Sequence, residues 1–318
     1  MDVRRLGLLR ELARRSTVTE VARTLNLTPT AVSQQLKLLE REAGLPLLRR
    51  VGRRVELTAA GRELVDASMD VEVSLARLRG RWDEYRGDVR GTVRVSVFPT
   101  AGQLLLAGTV RRLEAWPDVS VEIVEADLHG DRYPELVDDV DLVVGHHATQ
   151  LAAPAVGQAI PRASSRPPRT WQGLTVTGLL VEPLDVAVAP GHRLGSRRSV
   201  RLADVRRETW VSVPEGWPFD DALHRWFAAV DGGPQVAHRF TDLRLQESFV
   251  AAGLAVALLP RFAADDREGE RLRLLPTRDL ALGRRIAVLS RRDHAERAVT
   301  RVVREALVAE ARSLVSSD

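Results

Sequence analysis

At 318 residues, with 44% hydrophobic and 28% charged side chains, the chain is long enough for two or three units with real cores, and its lack of cysteine excludes disulfides, thiolate nucleophiles and Cys-based zinc sites. It contains no run of about 18 apolar residues to span a membrane, and charges interrupt the opening MDVRRLGLLRELARRS where a signal peptide needs an unbroken apolar stretch, so a cytoplasmic location is expected. The net charge of +4 is unevenly spread: residues 1–58 hold twelve Arg or Lys against six Asp or Glu, and the remaining residues sum to −2, so a basic head sits on a nearly neutral body and points to a polyanion bound by the head.

The T-x-x-E spacing from Thr17 to Glu20 predicts a capping box and a short helix over 18–25. Asn26 and Leu27 then make a tight turn, Thr28 caps a second helix, and Pro29 takes its first position, where a missing N–H costs nothing. Two helices so close form a helix-turn-helix. Val32, Leu36, Leu39 and Ala43 recur at helical spacing and predict the buried face, widened by Ala31 and Leu38. The opposite face carries Thr30, Ser33, Gln34, Lys37 and Arg41, with Thr28 at its start. Hydroxyls, an amide and cations are the groups that read base edges and grip phosphates in a major groove. Lys37 is the only lysine in the chain.

LPLLRRVGRRVELTAAG predicts two short strands, 47–51 and 54–57, around Gly52 and Arg53. This is a wing that can lay Arg53 or Arg54 on phosphate or along the minor groove. Thr58 caps a long helix in which Gly61, Leu64, Ser68, Val71, Leu75, Leu78, Trp82 and Tyr85 step by three and four. A period near 3.5 predicts a coiled-coil seam, with Leu64, Val71, Leu75, Leu78 and Trp82 as contacts to a partner helix.

Beyond the helix, GTVRVSVFPTAGQLLLAGTVRRLEAWPDVSVEIVEAD reads strand, loop, helix, strand, and DVDLVVG is a further buried strand. Alternating strands and helices predict α/β units with mostly parallel sheets and a ligand cleft at strand ends. The best cleft candidates are Phe98, Pro99 and Thr100, which lead into a helix whose first N–H groups suit a carboxylate, with no side-chain charge nearby. The stretch 152–173, rich in proline, serine and arginine, is expected to be a surface insertion.

LARRSTVTEVARTLNLTPTAVSQQLKLLEREAGLPLLRRVGRRVELTAAG resembles the N-terminal signature of LysR-type transcriptional regulators almost throughout, departing at Leu48, where that family commonly has phenylalanine. The resemblance implies an α/β chain in three parts: a winged helix-turn-helix DNA-binding domain (1–58), a linker and dimerisation helix (59–88), and a two-lobed effector-binding domain (89–318) resembling a type 2 periplasmic binding protein. EPLDVAVAPGHRL looks like the family's crossing into the second lobe and ESFVAAGLAVALLPR like its return, which puts lobe 1 at about 89–183 and 262–318 and lobe 2 at 184–261. By the same resemblance Thr30, Ser33, Gln34 and Lys37 fall on the recognition helix. His146, the stretch from Ser212 to Pro214, and Thr241 with Asp242 fall along the cleft. The partners implied are double-stranded DNA at an inverted repeat, a small-molecule effector for which a carboxylate is a candidate, and further copies of the chain in a dimer or tetramer. No membrane, cofactor or metal is implied.

Two other classes fit less well. No G-x-x-x-x-G-K-[ST], G-x-S-x-G or H-E-x-x-H is present, and His146 and His147 would point to opposite faces of a strand, a poor geometry for one metal. An enzyme is therefore not expected. A transporter's solute-binding protein would explain the body but not the DNA-binding head or the missing export signal.

Overall fold

Asp2 starts the first helix by accepting the Arg4 N–H on Oδ1 at 2.8 Å, and α1 (Val3–Arg15) ends at Ser16, which takes a left-handed conformation. None of the sequence patterns above announces this helix. It is followed by α2 (Val18–Thr24), α3 (Pro29–Ala43), the hairpin strands β1 (Leu48–Val51) and β2 (Arg54–Leu57), and the long α4 (Ala59–Tyr85). A computed structural model describes residues 1–51, 54–151, 167–279 and 281–316; the turn residues Gly52 and Arg53 lie outside them. These first elements form one unit, Met1–Arg86, and residues Gly87–Asp318 form a second.

Thr17 caps α2 by accepting the Glu20 N–H at 3.3 Å, but the Glu20 carboxylate accepts the Thr17 hydroxyl (3.1 Å) where the spacing predicts the Thr17 backbone N–H. Thr28 caps α3, with Pro29 in its first turn, and Gly44 ends it at φ 69° with its N–H on the Glu40 carbonyl. Leu9 and Leu12 of α1, Val21 of α2, Val32, Leu36 and Leu39 of α3, and Leu47 make the buried core. Burying each such side chain contributes roughly 1.5 to 3 kcal/mol.

The first turns of α4 belong to this core. Leu64 packs against it, Ser68 is buried beside Arg10 of α1, and the Arg10 guanidinium reaches Ser68 Oγ (3.5 Å) and Glu72 (2.6 Å). Gly61 lies so close to the wing that a Cβ there would sit 2.2 Å from the Leu47 carbonyl oxygen. Gly61, Leu64 and Ser68, expected on a seam with a partner helix, therefore face the unit's own interior. The stripe is therefore divided, and its first part is covered within the unit. Farther along, Val71, Leu78, Trp82 and Tyr85 are exposed, and Leu75 is half-buried.

The second unit begins with β3 (Gly91–Val97), α5 (Pro99–Leu113), β4 (Val119–Glu125), β5 (Leu142–Gln150) and the 14-residue β6 (Thr175–Val188). It continues through α6 (Leu202–Val205), β7 (Thr209–Ser212), α7 (Pro218–Phe227), β8 (Gln235–Arg239), α8 (Leu243–Ala251), β9 (Ala257–Pro260) and β10 (Arg273–Leu275). It closes with β11 (Leu282–Ser290), α9 (Arg292–Ala295) and α10 (Ala298–Ser316). A seven-stranded sheet runs β10-β6-β11-β5-β3-β4, with β9 also on β6, and β7 and β8 pair separately.

The sheet is mixed, which corrects the expectation of mostly parallel strands. β3 is parallel to β4 and β5, but β11 is antiparallel to both β5 and β6, and β9 and β10 are antiparallel to β6. The reason lies in two strands that each serve two cores. Leu180 of β6 packs in one core and Leu184, Val186 and Val188 in the other; Leu282 of β11 packs in the second and Ile286, Val288 and Leu289 in the first. A chain that leaves one lobe and returns along the same hinge must run antiparallel there. Phe262 packs against the first core, while Leu272 and Leu275 are buried with side chains of the other lobe, so contacts from both lobes alternate along the stretch that leads into β11.

In the stretch 152–173, residues 152–166 lie outside those described. Its end is not a surface insertion: Trp171 is buried and donates its indole N–H to the Gly130 carbonyl at 3.0 Å.

Candidate functional site

On α3 the buried Val32, Leu36 and Leu39 turn the other face outward, where Thr30, Gln34, Lys37 and Arg41 are exposed and Ser33 is half-buried. The helix also carries two acids, and both are occupied. Glu40 Oε1 accepts the backbone N–H groups of Leu47 (2.9 Å) and Leu48 (3.1 Å), fixing the entry into the wing, and Glu42 pairs with Arg5 of α1. The outward face is thus left with Lys37 and Arg41 as its charges. Thr28 is exposed at the start of this face, and its hydroxyl accepts the Ala31 N–H at 3.2 Å and sets where the helix starts. Arg54 occupies β2 opposite Val51, while Arg53 lies outside the described residues.

In the second unit a cavity of about 720 Å³ opens between the two cores. Phe98, Pro99, Thr100, Gln103, Glu125, Asp127 and His146 line it from the first lobe. Val213, Trp217, Pro218, Phe219 and the start of α8, from Thr241 to Arg244 with Gln246, line it from the second, and Arg284 comes from the crossing strand β11. The helices α5 and α7 both enter it with proline in the first turn and N-cap residues, Phe98 and Trp217, that make no side-chain cap bond. Their first-turn amides and positive dipole ends are available to an acceptor.

Arg284 is the chemical centre of the cavity. It is 2% exposed, and its guanidinium is held by Glu182 of β6, with Nε to Oε2 at 2.7 Å, while Nη2 donates to the Thr100 hydroxyl at 2.9 Å. The rings of Phe98 and Phe219, one from each lobe, lie 5.1 and 5.2 Å from its central carbon. Glu182 is fully buried and its other oxygen accepts the Phe262 and Ala263 N–H groups, so the anion is satisfied. The expectation that no side-chain charge lies near Thr100 is therefore wrong: a buried guanidinium touches its hydroxyl. Strand pairing places Arg284 opposite Glu182, 102 residues earlier.

His146 and His147 do point to opposite faces of β5. His147 meets the Trp171 ring edge-on at 5.3 Å, and His146 lies against Phe98 at 4.4 Å and Phe219 at 6.1 Å. Burial, with the Arg284 charge adding to it, holds the His146 pKa well below the usual histidine range, so this ring is neutral. Its buried Nδ1 has no hydrogen-bond partner among the described residues. Asp127 is raised from 3.8 to about 6 by burial, partly opposed by Arg284 and by the Tyr133 hydroxyl, with Glu125 pushing it further up.

Of the cleft candidates, Phe98, Pro99, Thr100, His146, Thr241 and Asp242 come together around this cavity. Ser212 and Pro214 do not line it: the Ser212 hydroxyl donates to the buried Asp220 at 3.2 Å, and the Pro214 carbonyl accepts the Trp217 N–H at 3.2 Å. Val213 between them does line it. Sequence reasoning missed Arg284, Asp127, Trp217 and Phe219. A signal existed for the first, since charges set in or beside the apolar runs LLVEPLDV and RRIAVL demand buried partners.

The comparisons agree with this architecture. The family model for the LysR substrate binding domain matches residues 86–312, and that for the bacterial regulatory helix-turn-helix protein of the lysR family matches residues 3–62. The transcriptional dual regulator GltC of Bacillus subtilis is 28% identical over 267 residues, covering 82% of this chain and 81% of its own. The RuBisCO operon transcriptional regulator of Allochromatium vinosum is 26% identical over 263 residues, covering 81% of this chain and 79% of its own. Among solved structures, a full-length OxyR variant of Pseudomonas aeruginosa shares the fold with a TM-score of 0.62 at 18% identity, over 98% of this chain and 95% of that one. Since the two family models together span nearly the whole chain, it belongs to the LysR family of bacterial transcriptional regulators, with a helix-turn-helix DNA-binding domain and an effector-binding domain.

Proposed function

We propose that this regulator acts as a dimer or tetramer whose α3 helices enter major grooves at the two halves of an inverted repeat. In this reading Thr30, Ser33, Gln34, Lys37 and Arg41 make the groove and phosphate contacts, the wing arginines add backbone contacts, and a small-molecule effector with a carboxylate or similar acceptor group occupies the cavity of the second unit. The single observation that supports effector control is Arg284, a buried guanidinium presented between the lobes beside Thr100 and the uncapped start of α5. An acceptor held there joins the lobes through the crossing strand that carries Arg284. Its differential affinity for the closed arrangement is what biases the assembly on DNA.

Lys37 tests the DNA side. A compact ammonium on a flexible stem suits a phosphate or base-edge contact that arginine's planar fork fits less well. Lys37→Ala removes an exposed side chain, so the unit stays folded. Loss of one phosphate contact reduces the slope of log K against log salt by about one. A salt titration of operator binding is expected to give weaker binding and this shallower slope; an unchanged titration removes Lys37 from the interface.

A further inference from the structure

Glu125, at the end of β4, and Asp127, two residues on, bring carboxylates to the first-lobe wall of the cavity, and Asp242 adds a third from the second lobe. The donor end is different in kind: the Arg284 guanidinium, the Thr100 hydroxyl, and the first-turn amides of α5 and α7. Asp242 is committed to its own helix, accepting the Arg244 N–H at 2.7 Å. Among the described residues Asp127 holds a single long hydrogen bond, from the Tyr133 hydroxyl at 3.5 Å, and Glu125 is exposed. The apolar side chains of Phe98, Phe219 and Trp217 line the same cavity. A ligand carrying anions alone is held at the Arg284 end but is repelled along the Glu125 and Asp127 wall. A ligand carrying a cation alone leaves the donor end unfilled.

We infer that the effector is an amino acid, a dipolar molecule whose carboxylate is taken by Arg284, Thr100 and the start of α5 and whose ammonium is taken by Asp127 and Glu125. This rests on reading the cavity as the effector site. The buried, neutral His146, whose Nδ1 has no partner among the described residues, adds a polar atom within the same wall. Phe98, Phe219 and Trp217 offer an apolar or aromatic side chain its contact surface. The groups that face Asp127 are Glu125, Tyr133 and Arg284; Arg284 competes with an incoming ammonium as a cation and the Tyr133 hydroxyl as a weak donor.

The test uses the full chain and matched sets of probes: α-, β- and γ-amino acids with apolar and aromatic side chains, each beside its deaminated acid and its decarboxylated amine. Thermal shift screens the sets and calorimetry gives Kd at pH 7.5. The expected result is an amino acid that binds at least tenfold more tightly than its matched acid, with the amine weaker still. Asp127→Asn is expected to bring amino acid and acid within threefold of each other. Glu125→Gln, at an exposed position, gives a smaller loss in the same direction and serves should the first variant not fold. If a deaminated acid binds as tightly as its amino acid, the dipolar assignment is overturned while the carboxylate reading stands. Binding of an amine as tight as that of its amino acid overturns both, and so does a screen in which no probe binds.

Discussion

At the scale of single residues, Asp127 and Arg284 show how the protein keeps charge within a cavity lined by both polar and apolar side chains. Arg284 is matched by Glu182, which is itself satisfied by two backbone donors, so the pair is complete. Breaking such a pair costs about 3 to 5 kcal/mol because the remaining charge is stranded. Asp127 is less well served, and a pKa raised from 3.8 to about 6 means that folding disfavours its ionised form. The native state then binds the proton that the unfolded chain has released, so stability falls as pH rises from about 4 through about 6. The full penalty, roughly 2 to 3 kcal/mol, applies above that window. Asp127→Asn removes the charge but keeps an acceptor for Tyr133. Urea unfolding followed by tryptophan fluorescence is expected to find the variant more stable than wild type at pH 7.5, by about 1 to 3 kcal/mol, with the advantage vanishing near pH 4. A difference that does not change with pH contradicts the assignment.

At the scale of elements, α3 and α4 differ in how far their sequence could be read. The α3 pattern has one meaning, because Thr28, Pro29 and Gly44 fix its ends and three apolar side chains fix its buried face. The α4 stripe has two meanings in one run. Its first part packs on α1 and the wing, where Gly61 admits the Leu47 carbonyl; only Val71, Leu78, Trp82 and Tyr85 remain exposed, with the last two rings stacked at 5.5 Å. Periodicity reports that a face is apolar without saying what covers it. Leu78, 65% exposed, separates the two cases. An aspartate there touches no internal core, so Leu78→Asp is expected to leave the helical content and thermal stability of the first unit nearly unchanged. Buried in a partner interface the same charge is unpaired and costly, and sedimentation is expected to show dissociation. An intact oligomer assigns self-association to another surface. The crossing strands were harder still to read: that Glu182 meets Arg284 depends on an antiparallel register between segments 102 residues apart, which no local pattern encodes.

At the scale of the whole molecule, the chain places its net positive charge in one unit and the cavity between two cores in the other. The charge asymmetry, the helix-turn-helix and the α/β character of the body were legible because each rests on local pattern. The cavity's chemistry was only half legible: Phe98 to Thr100 announced a helix start, but the guanidinium that completes it arrives from β11. Under the proposed function, a ligand at Arg284 controls how the heads hold DNA. Arg284→Lys tests it directly, since lysine keeps a charge beside Glu182 yet loses the fork that also reaches Thr100. The measurement is a footprint of the full chain on a duplex selected from a random library, with and without the amino acid that binds the cavity, for wild type and variant. The expected result is a two-fold symmetric protected site whose pattern changes with ligand in wild type, and the same site without the change in Arg284→Lys. A ligand-dependent change of equal size in the variant would contradict it.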